Sequence, residues 1–231
     1  MKVSKLVLAA GRGTRFGGPT PKAFVECAGK SLLRRSLERL AALGVDGDVV
    51  LATHPEDRAR WVDPELEILR RLGLTVVVDG GATRQESMQR ALAASDPEAP
   101  LVLVHDAARP LFPLDAARRA IDRAAAVGAA LLAVPVPDTL KRVDAAQRVI
   151  ETVDRSALWQ AQTPQVAQRA LLTAALQSAA ADGFQGTDDM SLLERHGATV
   201  EVVLGSPTNL KITTAADLSV AEQMLRAVQD D

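Results

Sequence analysis

The sequence predicts an α/β protein in three layers, an α/β/α sandwich built on a mostly parallel, Rossmann-like sheet, with a hairpin arm protruding from it. Three observations support this fold class. Short runs rich in Val, Leu and Ala recur along the chain, segments with helical spacing of apolar residues lie between them, and one stretch, 135–165, breaks the alternation.

The strand-like runs are 3–9, 48–53, 74–79, 101–105, 129–136 and 199–204, each bounded by Gly, Pro, Asp or Asn. Their apolarity is nearly continuous, as strands covered on both faces of a parallel sheet require. Helical spacing is clearest for Leu33, Leu37 and Leu40 within 31–43 and for Ala116, Ala120, Ile121 and Ala124 within 114–126. Further helices are expected at 84–94, 166–181, 188–195 and 214–228, the first capped by Thr83. Residues 135–165 alternate in polarity and carry turn signals without a crossover helix, so a hairpin arm is expected at 135–158. No repeat, low-complexity tract or linker divides 1–231, which is read as one domain in a stand-alone form.

With 27 Lys and Arg against 29 Asp and Glu, the net charge of -2 gives no whole-molecule field that would draw in nucleic acid or an anionic membrane. Anion binding must therefore be local. The single cysteine, Cys27, excludes an intramolecular disulfide and a multi-cysteine zinc site, and is read as a buried thiol. His54, His105 and His196 are too scattered in sequence to argue for a zinc site or a nucleophile–base pair. Two Trp, four Phe and no Tyr leave few platforms for stacking single-stranded nucleic acid. The first apolar run is too short for a signal peptide, and no stretch of roughly 18 apolar residues exists. A cytoplasmic protein without membrane or nucleic-acid partners is expected.

Local anion binding has an obvious place. The first strand runs into LAAGRGTRFGGPTPK, where Gly11, Gly13, Gly17 and Gly18 let the backbone turn tightly and present N–H groups to phosphate. Ala9 and Ala10 are small enough to let a base or ribose approach the strand end, and Arg15 and Lys22 add charge for a triphosphate. The Rossmann pattern would need glycine where Phe16 stands, and a P-loop ending in Gly29, Lys30 and Ser31 would need glycine at Phe24. Farther on, His105 and Asp106 end a strongly apolar strand, and the carboxyl end of a parallel strand is where open α/β sheets hold ligands. A carboxylate there can orient Mg²⁺ or the ribose and α-phosphate, although a helix N-cap would use the same residue.

The glycine loop resembles the signature of the sugar-nucleotide pyrophosphorylase superfamily. With GGATRQESM at 80–88, VHDAARP at 104–110, PDTLKRV at 137–143, TVDRSALWQAQTPQ at 152–165, TDDMSLLE at 187–194 and NLKIT at 209–213, nearly the whole chain is similar to the 2-C-methyl-D-erythritol 4-phosphate cytidylyltransferase family. The resemblance implies a homodimeric enzyme that joins CTP and methylerythritol phosphate, releases pyrophosphate and uses Mg²⁺ or another divalent cation. It implies that Arg15 and Lys22 neutralise charge growing on the phosphates, and that Lys211 lies near both triphosphate and acceptor. Gly81, Ala82 and Ser87 correspond to positions around the pyrimidine, and Asp106 and Ala107 to positions beside the nucleotide, Asp106 being the candidate metal ligand. Thr139 and Arg155 on the arm would reach the acceptor phosphate in a partner subunit, and Thr187 would add a hydroxyl.

Two departures, Phe16 for the usual methionine and Met88 for a common valine, exchange one apolar residue for another. Thr208 stands where some relatives in the wider superfamily carry a second metal-binding carboxylate, so a second ligand is not supported there. A ribitol 5-phosphate cytidylyltransferase shares most of these motifs. A catalytically silent CTP-binding module is the alternative outside enzymes.

Overall fold

The structure, a computed structural model, describes residues 1–11, 16 and 20–227. In chain order its main elements are β1 (Val3–Ala9), α1 (Leu32–Ala42), β2 (Val49–Thr53), α2 (Leu66–Arg71), β3 (Val76–Asp79), α3 (Arg84–Ala93), β4 (Leu101–Asp106), α4 (Leu114–Val127) and β5 (Ala129–Pro135). There follow β6 (Leu140–Val143), β7 (Val149–Val153), β8 (Trp159–Gln168), α5 (Arg169–Ala181), α6 (Asp189–Arg195), β9 (Val200–Leu204) and α7 (Ala215–Ala227).

Seven strands form the central sheet in the order β9-β5-β8-β4-β1-β2-β3. β1 is parallel to β2 and β4, β2 to β3, and β5 to β9, whereas β8 runs antiparallel between β4 and β5. The pleat sends alternate residues to opposite faces, and helices cover both. Val3, Val7, Leu101 and Leu103 pack with Leu33, Leu37 and Leu40 of α1 on one face. Leu6, Val102 and Val104 pack with Met88 of α3, Leu172 of α5 and Met190 of α6 on the other. Burial on both faces is why these strands read as unbroken apolar runs, and each fully buried Leu contributes roughly 1.5–3 kcal/mol. Helix α1 is opened by Ser31, whose hydroxyl accepts from the Arg34 N–H at 3.2 Å, a cap worth about 1 kcal/mol.

Two parts of the chain depart from the sequence expectation. Residues 159–168, whose first part lies in the stretch that breaks the alternation, form a central strand, and the following helix begins at Arg169, not 166. This strand buries Gln162, Thr163 and Gln165, so it lacks the apolar signature of its neighbours. Pro164 has no N–H to give the ladder, and the register with β5 shifts between Ala161 and Gln165. The second departure is 55–71, where Pro55 and Pro64 open short helical turns that lead into α2.

The arm itself is a two-stranded antiparallel ladder of β6 and β7, separate from the central sheet. Among the described residues, no helix is long and apolar enough to cross a membrane. The chain leaves β1 toward β2 and β3, then returns to place β4 on the opposite side of β1. The crevice above the carboxyl ends of β1 and β4 is therefore the switch point of the sheet, where such folds bind ligands.

Candidate active site

A cavity opens at that switch point. Ala9, Ala10 and Gly11 reach it from β1, Gly81, Ala82 and Ser87 from the turn and first helical residues of α3, and Asp106 and Ala107 from β4. Lys22 enters from a 3-10 turn at Lys22–Phe24, and Lys211 from the irregular segment before α7. Ten residues singled out in the sequence thus surround one space. Gly13 and Arg15 lie outside the described residues. Thr139, Arg155 and Thr187 are exposed and do not line the cavity, the first two flanking the arm and the third preceding α6.

The turn before α3 is held by close approach. The Gly80 N–H donates to the Thr53 carbonyl at 2.7 Å, and a Cβ on Gly80 would stand 2.2 Å from that of Ala10. Thr83 caps α3, its hydroxyl accepting from the Glu86 N–H at 3.1 Å. The Ser87 hydroxyl donates to the Thr83 carbonyl at 2.9 Å and accepts from the Gly81 N–H at 3.0 Å. The Ala82 N–H donates to the Glu86 carboxylate. Ser87 therefore shapes the turn through its side chain as well as lining the cavity. Across the site, Phe24 stacks on Trp61 with ring centroids 5.9 Å apart, which seats the turn that carries Lys22.

Asp106 is the electrostatic centre. Lys211 Nζ lies 2.6 Å from its Oδ2, and Arg84 Nε 3.4 Å from its Oδ1. Burial pushes the Asp106 carboxyl up, but the charges of Arg84 and Lys211 overcome this and hold it well below the usual carboxylate range. It is ionised at neutral pH. The remaining guanidinium nitrogens of Arg84 donate to both oxygens of Asp189, each at 2.8 Å. Burial raises the Asp189 carboxyl, and this bidentate pairing works against the rise.

Behind Asp106 runs a buried polar chain. The Asp106 N–H donates to Thr163 Oγ1 at 3.1 Å, and Thr163 Oγ1 is 3.0 Å from His105 Nδ1. His105 Nε2 is 3.1 Å from the Arg109 carbonyl, which can only accept, so Nε2 carries the proton and Nδ1 accepts from Thr163. One neutral tautomer satisfies every contact. Burial lowers the His105 pKa to about 4. Arg109 donates to the carbonyls of Asn209 and Ala161, and with Gln162, Asn209 and Lys211 it borders a second cavity at the root of the arm. Lys211 stands between the two cavities.

Arg84, Asp189, Thr163 and Arg109 were not singled out from the sequence, although each lies inside a quoted motif. Among the described residues no cluster of three His, Cys, Asp or Glu side chains gathers as a metal site. The acid group in the cavity is one ionised carboxylate flanked by cations, an arrangement suited to charged phosphates.

Residues 3–227 match the family model for 2-C-methyl-D-erythritol 4-phosphate cytidylyltransferase. The protein of that name from Saccharopolyspora erythraea is 46% identical over 97% of this chain and 100% of its own length. That from Symbiobacterium thermophilum is 41% identical over 96% of this chain and 92% of its own. The crystal structure of 2-C-methyl-D-erythritol 4-phosphate cytidylyltransferase from Thermus thermophilus superposes with a TM-score of 0.81 at 36% identity, covering 98% of this chain and 100% of that one. With the crevice, the glycine turn and the paired cations in the arrangement described, the chain belongs to the 2-C-methyl-D-erythritol 4-phosphate cytidylyltransferase family.

Proposed function

We propose that the chain transfers the cytidylyl group of CTP to 2-C-methyl-D-erythritol 4-phosphate, releasing pyrophosphate, with the chemistry carried by the Lys22, Asp106 and Lys211 groups around the switch-point cavity. Their convergence beside the small wall of Ala9 and Ala10 is the observation that supports it most. An oxygen of the acceptor phosphate attacks the α-phosphorus of CTP in line. The bond to the bridging oxygen breaks, and pyrophosphate leaves on the opposite side. No side chain need form a covalent bond. The protein's task is to hold the reactants and neutralise charge that grows on the phosphate oxygens.

Lys22 and Arg15 supply positive charge to the triphosphate from the glycine-rich segment. Lys211 has three N–H donors, so it can keep Asp106 at 2.6 Å and give another to a phosphate oxygen. Asp106 in turn keeps that ammonium aimed at the cavity. Gly81, Ala82 and Ser87 take the base and Ala107 lies beside the nucleotide, while Gly11 and Gly13 are assigned to its phosphates. A bound magnesium ion, or another divalent cation, would supply further neutralisation of the phosphates. Asp106 fits that ion as an ionised oxygen donor, because Mg²⁺ commonly takes one or two carboxylates and fills its sphere with phosphates and water.

The arm supports a homodimer. Its two strands are a hairpin too small to be stable by packing of its own, yet Val149 and Ile150 are each 62% exposed. A second copy of the chain would cover them, and would bring Thr139 and Arg155 to the acceptor phosphate of its partner, with Thr187 adding a hydroxyl. Arginine suits that role through its bidentate fork.

The names of the relatives favour methylerythritol phosphate over ribitol 5-phosphate as acceptor, and retention of Lys22, Asp106 and Lys211 counts against a silent CTP-binding module. The test is Mg²⁺-dependent pyrophosphate release from CTP with methylerythritol 4-phosphate, with ribitol 5-phosphate and with neither. Release is expected with the first, and Lys22→Ala should reduce it by roughly 10²- to 10³-fold, the usual loss for one electrostatic contact to the transition state. Preference for ribitol phosphate would replace the acceptor, and no release with either would overturn the transferase.

A further inference from the structure

We propose that Arg84 is a positioning residue that fixes the acceptor side of the site relative to the nucleotide side, an inference that rests on the transferase function above. Arg84 is the first residue of α3 and follows the Gly81–Ala82 turn, so its backbone moves with the nucleotide pocket. Arg84 itself lines the cavity, and its guanidinium reaches from there to the segment that carries Thr187. Two guanidinium nitrogens hold both oxygens of Asp189 at 2.8 Å, and Nε approaches Asp106 at 3.4 Å. Asp189 is 1% exposed and opens α6, two residues after Thr187.

The next residue repeats the connection. Gln85 Oε1 accepts from the Gly186 N–H at 2.8 Å, and its Nε2 donates to the Phe184 carbonyl at 3.3 Å. Consecutive side chains of α3 therefore grip the 184–189 segment at both ends, with Thr187 between them. From the opposite direction, Gln165 of β8 accepts from the Asp189 N–H at 3.1 Å and donates to Asp188 at 2.8 Å. The segment carrying Thr187 is set by groups belonging to the nucleotide turn and to the central sheet.

Docking of α6 on the fold does not require the ion pair. Met190, Leu192 and Leu193 already bury it against the core, and a capping box between Asp188 and Ser191 closes its first turn. What Arg84 adds is direction. A planar fork bound to both carboxylate oxygens fixes angle as well as distance, and a lysine ammonium cannot reproduce that geometry. Its third contact aligns the same side chain with Asp106. Nucleotide turn, Asp106 and the Thr187 segment are thus referred to one rigid group.

The experiment compares wild type, Arg84→Lys and Asp189→Asn by calorimetric CTP affinity without acceptor, by kcat and KM for methylerythritol phosphate, and by thermal melting. Arg84→Lys keeps a positive charge near Asp106 but loses the fork. Asp189→Asn leaves Arg84 and its contact with Asp106, and serves if the first variant does not fold. Both are expected to keep CTP affinity within about threefold while kcat/KM for the acceptor falls about 10²-fold, the cost of displacing a reactant by roughly 1 Å. Combining the two changes should cost little more than either alone, because both break the same link. Acceptor kinetics unchanged in a folded variant would overturn the proposal. So would a loss of CTP affinity equal to the acceptor-side loss, since Arg84 would then serve the nucleotide pocket or the fold as a whole. Failure of wild type to use the acceptor would instead overturn the transferase function itself.

Discussion

Acidification should weaken the fold through one buried imidazole, and the size of the effect follows from its surroundings. His105 is fully buried and neutral, donating from Nε2 to the Arg109 carbonyl and accepting at Nδ1 from Thr163. Burial lowers its pKa from 6.5 to about 4. Between those values the unfolded chain takes up a proton that the native chain refuses, so stability is complete above pH 6.5 and falls as pH drops toward 4. The full loss is about 3 kcal/mol, of which about 2 kcal/mol has already gone at pH 5. The assay is urea unfolding at pH 7 and pH 5 for wild type and for His105→Asn, which cannot titrate there. The variant will be less stable at both pH values because it breaks the chain behind Asp106. The decisive quantity is the difference between the two pH dependences, from which carboxylates common to both proteins cancel. Wild type should lose about 2 kcal/mol more than the variant between pH 7 and pH 5. Equal losses would refute a neutral, buried His105.

Two further perturbations test the nucleotide turn and the arm. Gly80→Ala puts a methyl 2.2 Å from the Ala10 Cβ and 3.3 Å from the Thr53 carbonyl, so β1 and the α3 turn must separate. Overpacking of this kind costs about 2 kcal/mol, and CTP affinity measured by calorimetry should weaken about tenfold, each tenfold being about 1.4 kcal/mol; a change under threefold would show that the turn relaxes without disturbing the site. Ile150→Glu puts a charge on the exposed apolar side of the arm and should give a monomer by sedimentation, with transferase activity reduced about 10²-fold through lost placement of the acceptor. A monomeric variant with full activity would exclude a cross-subunit role for Arg155.

The parts of this fold that were legible in the sequence are those whose burial is apolar. Leu6, Val102 and Leu131 announce their strands because a residue covered by a helix on either face must be hydrophobic to be stable there. β8 escaped that logic because its buried side chains are polar and find partners far along the chain. Gln165 meets Asp189, and Gln162 and the Thr163 carbonyl meet Asn209, pairings that no local periodicity encodes. The site divides in the same way. Ala9, Ala10, Gly11 and Asp106 could be read from strand ends and small residues, features that are local. Arg84 and Asp189 are 105 positions apart, and only the folded chain brings them together.

The location of the buried charges also bears on why they are present. Arg84, Asp189, Asp106 and Lys211 form a connected series of ion pairs, with Asp189 1% and Asp106 8% exposed. Buried ion pairs are a poor way to stabilise a fold, because desolvation offsets much of their attraction and apolar residues of similar volume often do as well or better. This protein has such residues in quantity, in continuous clusters on both faces of its sheet. The charges instead gather where the strand order reverses, around the cavity that β1 and β4 leave open. A structural explanation would allow them anywhere between helix and sheet. The proposed transfer needs a carboxylate and a lysine oriented toward phosphate at this crevice, and under that proposal Asp106 is held ionised between two cations at the switch point, where a ligand can reach it.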